Sequence, residues 1–486
     1  MRHATLLLLL FSVSGGLFAQ SDTQWTLERA VSYALENNLQ IRQLNNTAEI
    51  NKLNLDRAKA FRLPTLSGST NVGLQLGRTI DPTTNSFEQQ TIGFQGYQIQ
   101  GGITLFQGGR IKNGIQQAEL DYAAAKMDSK VTSNNIGLQV ASSFLNILLF
   151  EEQRKNAQAQ LDLATEQLAN TDKLIQAGAL PVAQRFDLVA QQAAARQTVV
   201  DRENQVTAAK LGLQILLELD YSAPFEVVLP ELNPDEAELF ETYNLEEVFL
   251  SARNTQPVIV AAELREQSSN FATDLAKGNY LPTVSLFGSV STNFSSVSRD
   301  FSNPIPGPPP EFEFGPPIPV QINGMDATLS SLVAVGGTGP SFPTIGYFDQ
   351  LNRNFGQSVG ASLNIPIYNQ GRKSIDLQNA RIQQENARLG VAQAENNLRN
   401  DVQIALNNLR FAQESYRAAE LSLEAAQTAY ENAQRSFRAG TANGFDLITT
   451  TNQLDQARTT MTQSKYQLIF NRQVIRFYLG QGLSFE

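Results

Sequence analysis

Carboxylate chemistry remains formally open to this chain. Its 486 residues include 47 Asp and Glu, one histidine (His3) and no cysteine. Paired acids could hydrolyse a glycosidic bond, and acids alone could hold Mg²⁺ or Ca²⁺. A thiolate nucleophile, a three-histidine zinc site and a Cys-x-x-Cys redox pair are closed to it, and a Ser-His-Asp triad is closed to a mature chain that has lost His3. No acid pair stands in a loop context. The inventory therefore points to no enzyme, no cofactor and no metal centre.

The one histidine falls in a segment that reads as removable. Met1-Arg2-His3 is followed by Leu6 to Leu10, Phe11 and Val13, then small residues up to Ala19-Gln20. A charged start, an apolar stretch and a small residue at a cleavable position describe a secretory signal peptide over residues 1–19. Without cysteine the mature chain cannot be a lipoprotein or carry disulfides. Past the signal no apolar run reaches the ~18 residues of a membrane-spanning helix. The formal net charge of −10 argues against nucleic acid. Charged residues are 17% of the chain, below the ~25% usual in soluble domains.

The elements that position these residues come in two copies. Leu27-Glu28, Lys59 and Leu63-Pro64-Thr65 recur 218 residues later as Leu245-Glu246, Lys277 and Leu281-Pro282-Thr283. Gly109-Arg110, Ala177-Gly178 and Ala195-Arg196 recur 262 residues later as Gly371-Arg372, Ala439-Gly440 and Ala457-Arg458. The spacing rises once, so the second copy carries one insertion of 44 residues. The first repeat takes residues 20–219, with helices in 26–62, strands 65–77 and 94–106, and a helical hairpin over 110–218. An acidic connector, 220–243, follows. The second repeat, 244–486, has helices in 245–279, strands 283–297 and 355–367, and a hairpin over 371–479. Its insertion, 298–343, holds Pro304, Pro306, Pro308-Pro309-Pro310, Pro316-Pro317 and Pro319. So many prolines predict neither helix nor strand but a long exposed loop.

The predicted strands alternate. Leu66, Thr70, Val72, Leu74 and Leu76 share one face, against Ser67, Ser69, Asn71 and Gln75; Val359, Ala361 and Leu363 oppose Ser358, Ser362 and Asn364. This fits a half-buried sheet of a soluble domain or the ~10-residue strands of a membrane barrel. The export signal and the uncharged polar faces favour the barrel. The long helices carry a 4-3 spacing: Leu398, Val402, Ala405, Leu409, Ala412, Tyr416, Ala419, Leu423, Ala426, Tyr430, Ala433 and Phe437. Large and small side chains alternate there, which lets a helix interlock on both flanks, as in the wall of a tube. A long antiparallel bundle is the competing reading.

In this order the motifs resemble the TolC-like outer membrane efflux protein family over essentially the whole mature chain. The carrying residues are Trp25-Thr26-Leu27-Glu28-Arg29-Ala30 with Asn37 and Asn38; both Leu-Pro-Thr segments; Gln107-Gly108-Gly109-Arg110 and Asn369-Gln370-Gly371-Arg372; and Arg438 to Leu447. The resemblance implies a mainly α chain with a membrane β-barrel. A homotrimer would form one twelve-stranded outer-membrane β-barrel continued by a periplasmic α-helical barrel. It implies a passive exit duct of a tripartite efflux pump or type I secretion system, in contact with outer-membrane lipid, a periplasmic adaptor and an inner-membrane transporter. The turns Ala177-Gly178-Ala179 and Ala439-Gly440-Thr441 match the adaptor-contact tips. Asp446 matches the first acidic position of the family's pore ring, where three carboxylates would favour cations. The second acidic position is Thr449, the gate arginine is Ala442, its aspartate partner is Gln184 and the gate tyrosine is Phe437. The usual ion-pair latch is thus missing, and closure by packing of Phe437, Phe445 and Leu447 is expected in its place. A non-conducting structural or adhesive coiled-coil protein of the envelope remains the alternative function. The insertion would be an extracellular loop, either folded over the mouth or disordered decoration.

Overall fold

The computed structural model describes residues 24–80, 87–178, 180–222, 224–228, 240–336, 339–439, 441 and 444–481. The signal segment 1–19 and the middle of the connector 220–243 lie outside the described residues. The chain forms two compact units. One takes in residues up to Leu55, Gln116–Phe271 and residues from Ala380 on; the other holds Asp56–Ile115 and Ala272–Asn379.

The first unit is helical. Thr26 caps the helix Leu27–Asn37 by accepting a hydrogen bond from the Arg29 N–H at 3.3 Å. Asn38 then ends that helix and starts the next. Its N–H donates to the Ala34 carbonyl, and its Oδ1 accepts from Gln40 N at 3.0 Å and Ile41 N at 3.3 Å. The same device recurs at Leu245–Thr255, capped by Asn244, with Pro257 opening Pro257–Gly278 where its missing N–H costs nothing. Each helix pair has lengths of 11 and 22 residues. The long helices Arg110–Gln176 and Arg372–Arg438 are 67 residues apiece, ~100 Å at 1.5 Å per residue.

Two apolar clusters of matching make-up hold these helices. In one, Leu27, Ala30 and Ala34 pack on Ile136, Val140, Phe144, Leu213 and Leu217. In the other, Val248, Phe249 and Ala252 pack on Leu398, Val402, Ala405, Leu409, Leu468 and Ile475. Arg154 and Lys210 together hold the Glu151 carboxylate, at 2.9 and 2.7 Å. Burial pushes the Glu151 carboxyl up, but the two cations outweigh it and hold the group below its usual range.

The described strands are β1 (Gln24–Trp25), β2 (Thr65–Ile80), β3 (Phe87–Gln107), β4 (Glu226–Val227), β5 (Thr283–Ser295), β6 (Glu311–Phe314), β7 (Ile318–Ile322), β8 (Met325–Leu329), β9 (Leu332–Val335) and β10 (Gly356–Asn364). In the second unit β10, β5, β3 and β2 form one antiparallel sheet in that order. Its register sorts most side chains by polarity, with Gln95 and Gln357 on the apolar side and Ile92, Phe94 and Phe287 on the polar side as exceptions. One face carries Leu66, Val72, Leu74, Leu76, Ile99, Leu286, Val290, Val359 and Leu363, all exposed. The other carries Ser67, Asn71, Gln98, Gln100, Ser289, Ser291 and Ser358. Leu105 departs from the alternation. A bulge lets Phe106, not Leu105, face Val284 on the apolar side.

The Gly-Gly and Gln-Gly motifs that follow the strands earn their residues by backbone geometry. Gly108 and Gly109 have φ of 57° and 76°, and a Cβ on Gly108 would stand 2.5 Å from the Gly278 carbonyl oxygen. Gln370 and Gly371 make the same turn at 48° and 75°.

The insertion corrects the loop expected over 298–343. Within it β6 pairs with β9 and β7 with β8, both antiparallel. Asn323 and Gly324, at φ 55° and 78°, make the tight turn between β7 and β8. The prolines did not forbid this: Pro319 sits in β7, a strand with one free edge, where its missing N–H leaves no ladder bond broken. The short helix Tyr347–Arg353, also not foreseen, leads into β10.

Candidate functional site

The expected site residues gather where the long helices turn, inside the helical unit. After Arg110–Gln176 the chain passes Ala177 and Gly178; the latter has φ 73° and donates its N–H to the Ile175 carbonyl at 2.9 Å. A Cβ on Gly178 would meet nothing within 4 Å, so the left-handed backbone alone calls for glycine. In the second turn the Ala439 N–H donates to Arg435 O at 3.0 Å, and the Thr441 N–H and hydroxyl both reach Ser436 O, at 2.9 and 3.0 Å. Ala179, Gly440 and Ala442 lie outside the described residues.

The helix Gly444–Tyr478 starts with Asp446 in its first turn, where a carboxylate suits the helix dipole. Asp446 is exposed and Leu447, beside it, is buried. The hydroxyls of Thr449, Thr450 and Thr451 donate back to the carbonyls of Phe445, Asp446 and Leu447, four residues earlier, at 2.9, 3.0 and 2.7 Å. Thr449 is thus engaged by its own helix.

Four helix ends border a cleft of about 780 Å³. Gln184, Phe437, Phe445 and Leu447 line it together with Leu163, Leu174, Glu166 and Asp187. Phe437 packs on the cluster of Tyr430, Leu447 and Leu454. Phe445 stays 74% exposed. Of the expected residues the fold therefore brings Gln184 and Phe437 to one cleft with Phe445 and Leu447. Asp446 and Thr449 do not line it.

Two features here were not read from the sequence. Arg185 Nε pairs with Asp172 Oδ1 at 2.9 Å across the first hairpin, next to Gln184. The signal was two opposite charges straddling Ala177-Gly178, five residues before it and seven after. The second is Asp455, which borders a polar cleft of about 440 Å³ with Gln153, Asn156, Asp187, Gln191, Arg202 and Asn452. Burial pushes the Asp455 carboxyl up to about 6, against a smaller lowering by Arg458. An acid one position past the apolar Leu454 was the available clue. Among the described residues no group of three or more His, Cys, Asp or Glu could hold a metal, and no helix is long and apolar enough to cross a membrane.

The sheet is the second functional surface. Its apolar side exposes Val72, Leu76 and Val359, at 75, 76 and 89%. Such a continuous apolar face does not suit water. Between Thr65 and Gly77, Gln89 and Gln107, and throughout β5 and β10, neither face carries a charge. Among the described residues the outer edges of β2 and β10 have no partner strand.

Known proteins share this design. The profile of a family described as "Outer membrane efflux protein" matches residues 30–217 and 250–481. The outer membrane efflux protein BepC of Brucella suis biovar 1 (strain 1330) is 22% identical over 390 residues, which is 80% of this chain and 71% of BepC. The structure of the outer membrane protein VceC of Vibrio cholerae superposes with a TM-score of 0.71 at 13% identity, covering 94% of this chain and 97% of VceC. The Campylobacter jejuni CmeC outer membrane channel gives 0.68 at 15% identity, covering 94% and 86%. These two likenesses concern the fold.

Proposed function

The chain belongs to the outer membrane efflux protein family, and from that premise we propose that it is the exit duct of a tripartite efflux pump or type I secretion system. It is a TolC-like efflux channel of the outer membrane and not an enzyme. In our reading it conducts passively, while a periplasmic adaptor and an inner-membrane transporter supply recognition and energy. A signal peptide over residues 1–19 exports it, and the tips at Ala177–Ala179 and Ala439–Thr441 meet the adaptor.

One observation carries the reading: the four-stranded sheet with an apolar face, an uncharged polar face and two unpaired edges. In lipid every backbone N–H and C=O needs a partner, so an open sheet cannot remain there alone. Three copies joined edge to edge would close twelve strands, with the apolar faces toward lipid and the serines and glutamines toward water. The two repeats, 20–219 and 244–486, each supply two of the four strands.

The test is direct. Purified protein should run as a heat-resistant trimer on a gel and give single-channel currents in a planar bilayer. A soluble, non-conducting monomer would overturn the duct and favour an envelope scaffold.

A further inference from the structure

We propose that the two β-ribbons of the insertion dock, by their apolar faces, on the same ribbons of neighbouring copies, so that three insertions join into a cap over the channel mouth. This rests on the trimeric duct reading above. The ribbons are amphipathic. In β7–β8, Ile318, Val320, Ile322, Met325, Ala327 and Leu329 share one face, while Pro319, Gln321, Asp326 and Thr328 share the other. In β6–β9, Phe312, Phe314, Leu332 and Ala334 share one face, wholly apolar, while Glu311 and Glu313 share the other with Val333 and Val335. Phe314 is 76% and Met325 73% exposed. A two-stranded ribbon is marginal in water and needs a further surface to pack on.

The stem that carries them is built firmly. Buried Gln350 accepts from Ser295 N at 2.9 Å and donates to Ser295 O at 3.0 Å and Ile345 O at 2.9 Å. Asp300 receives Arg353, and Phe301 packs against Phe342 with ring centroids 5.1 Å apart and planes tilted by 52°. The ribbons are thus held on a fixed base while their apolar faces stay open.

A second copy fits those faces better than an anionic lipid surface. From Asp300 to Asn352 there is no Lys or Arg, against the acids Asp300, Glu311, Glu313, Asp326 and Asp349. That composition repels an anionic headgroup, while Glu311, Glu313 and Asp326 lie on the ribbon faces opposite the ones that dock, clear of a second copy's acids. The register also fixes where the ribbons sit. β5 runs from Thr283, opposite Gln107, to Ser295, opposite Phe94, so the insertion leaves at the sheet end where β2 and β3 are joined. It returns through the short helix Tyr347–Arg353 into β10, the edge strand that must meet a neighbour. The insertion therefore lies at the seam between copies, with its acids able to face water as its apolar faces meet.

The absence of cysteine makes the test clean. Single variants Phe314→Cys and Met325→Cys on the apolar faces, and Glu313→Cys and Gln321→Cys on the polar ones, are oxidised in outer-membrane preparations. Cross-linked chains from the first pair, at least fivefold above the second, are the expected result. Equal or absent cross-linking in samples that still show the heat-resistant trimer overturns the cap and leaves the duct standing. Loss of the trimer in the unsubstituted protein overturns the duct itself. Apolar-face cysteines shielded from an impermeant maleimide in cells, yet open in the purified trimer, would assign the faces to another extracellular partner and also overturn the cap.

Discussion

Phe287 of β5 lies directly across from Gly360 of β10, and its ring fills the place of the missing side chain. A Cβ on Gly360 would come within 2.6 Å of Phe287 Cζ. Phe94 and Gly73 repeat the arrangement in the other strand pair, at 2.7 Å. Both rings lie on the uncharged polar face, so each glycine makes room for an aromatic that stiffens a strand pair. Gly360→Val should therefore lower the temperature at which the folded trimer dissociates. Adding Phe287→Ala should recover part of the loss, a coupling of about 1 kcal/mol. Simple additivity in a melting series would show that the ring's seat does not matter.

Substitutions on the two faces of β10 should differ sharply. Val359→Arg places a charge on the apolar face and should cost about 2–4 kcal/mol if that face meets the bilayer midplane. Ser358→Arg, one residue away on the polar face, should be tolerated. Yield of folded, heat-resistant protein in outer-membrane fractions reads both, and similar yields would refute the assignment of faces.

Asp455 gives a pH effect with a definite sign. Its carboxyl titrates at about 6 in the folded chain against 3.8 in the unfolded one. Between these values the folded state holds the proton and the unfolded state has lost it, so this group's contribution to stability falls as pH rises from about 4 to about 6. Asp455→Asn removes that cost. The variant should melt a few degrees above the parent at pH 8 and level with it at pH 3.5. An equal offset at both would mean that the gain has nothing to do with ionisation.

Glu151 has the opposite sign. Lys210 and Arg154 hold it ionised, so its stabilisation is present at neutral pH and fades as pH falls through its lowered folded value. Glu151→Ala leaves two cations facing a half-buried gap and should cost about 2 kcal/mol at pH 7. Helical circular dichroism during denaturation would measure it. Loss of the same size in a Lys210→Met background would show that the pair is not coupled.

Asp446 is proposed as a ring of three carboxylates at the channel entrance. Asp446→Ala should then weaken cation preference in single-channel recordings under a salt gradient. An unchanged reversal potential would return Asp446 to the humbler role of an acid at a helix start.

Much of this architecture was open to a reader of the sequence because its causes are local or periodic. Strict alternation in β2 and β10 fixes which side chains share a face, since side-chain direction reverses at every strand residue. The 4-3 spacing from Leu398 to Phe437 fixes a helix for a similar reason. The absence of Cys, and of any His beyond His3, closed whole classes of chemistry before any fold was considered. The ribbons of the insertion were missed because proline counting outweighed the Asn323-Gly324 turn signal, which sits between two alternating segments. What only the tertiary structure decided is what depends on distance in space. Phe287 finds Gly360 73 residues away, Lys210 finds Glu151 from another helix, and Asp455 owes its raised pKa to helices that no spacing along its own segment reveals. Burial and pairing are set by neighbours, and for these residues the neighbours lie far away in the chain.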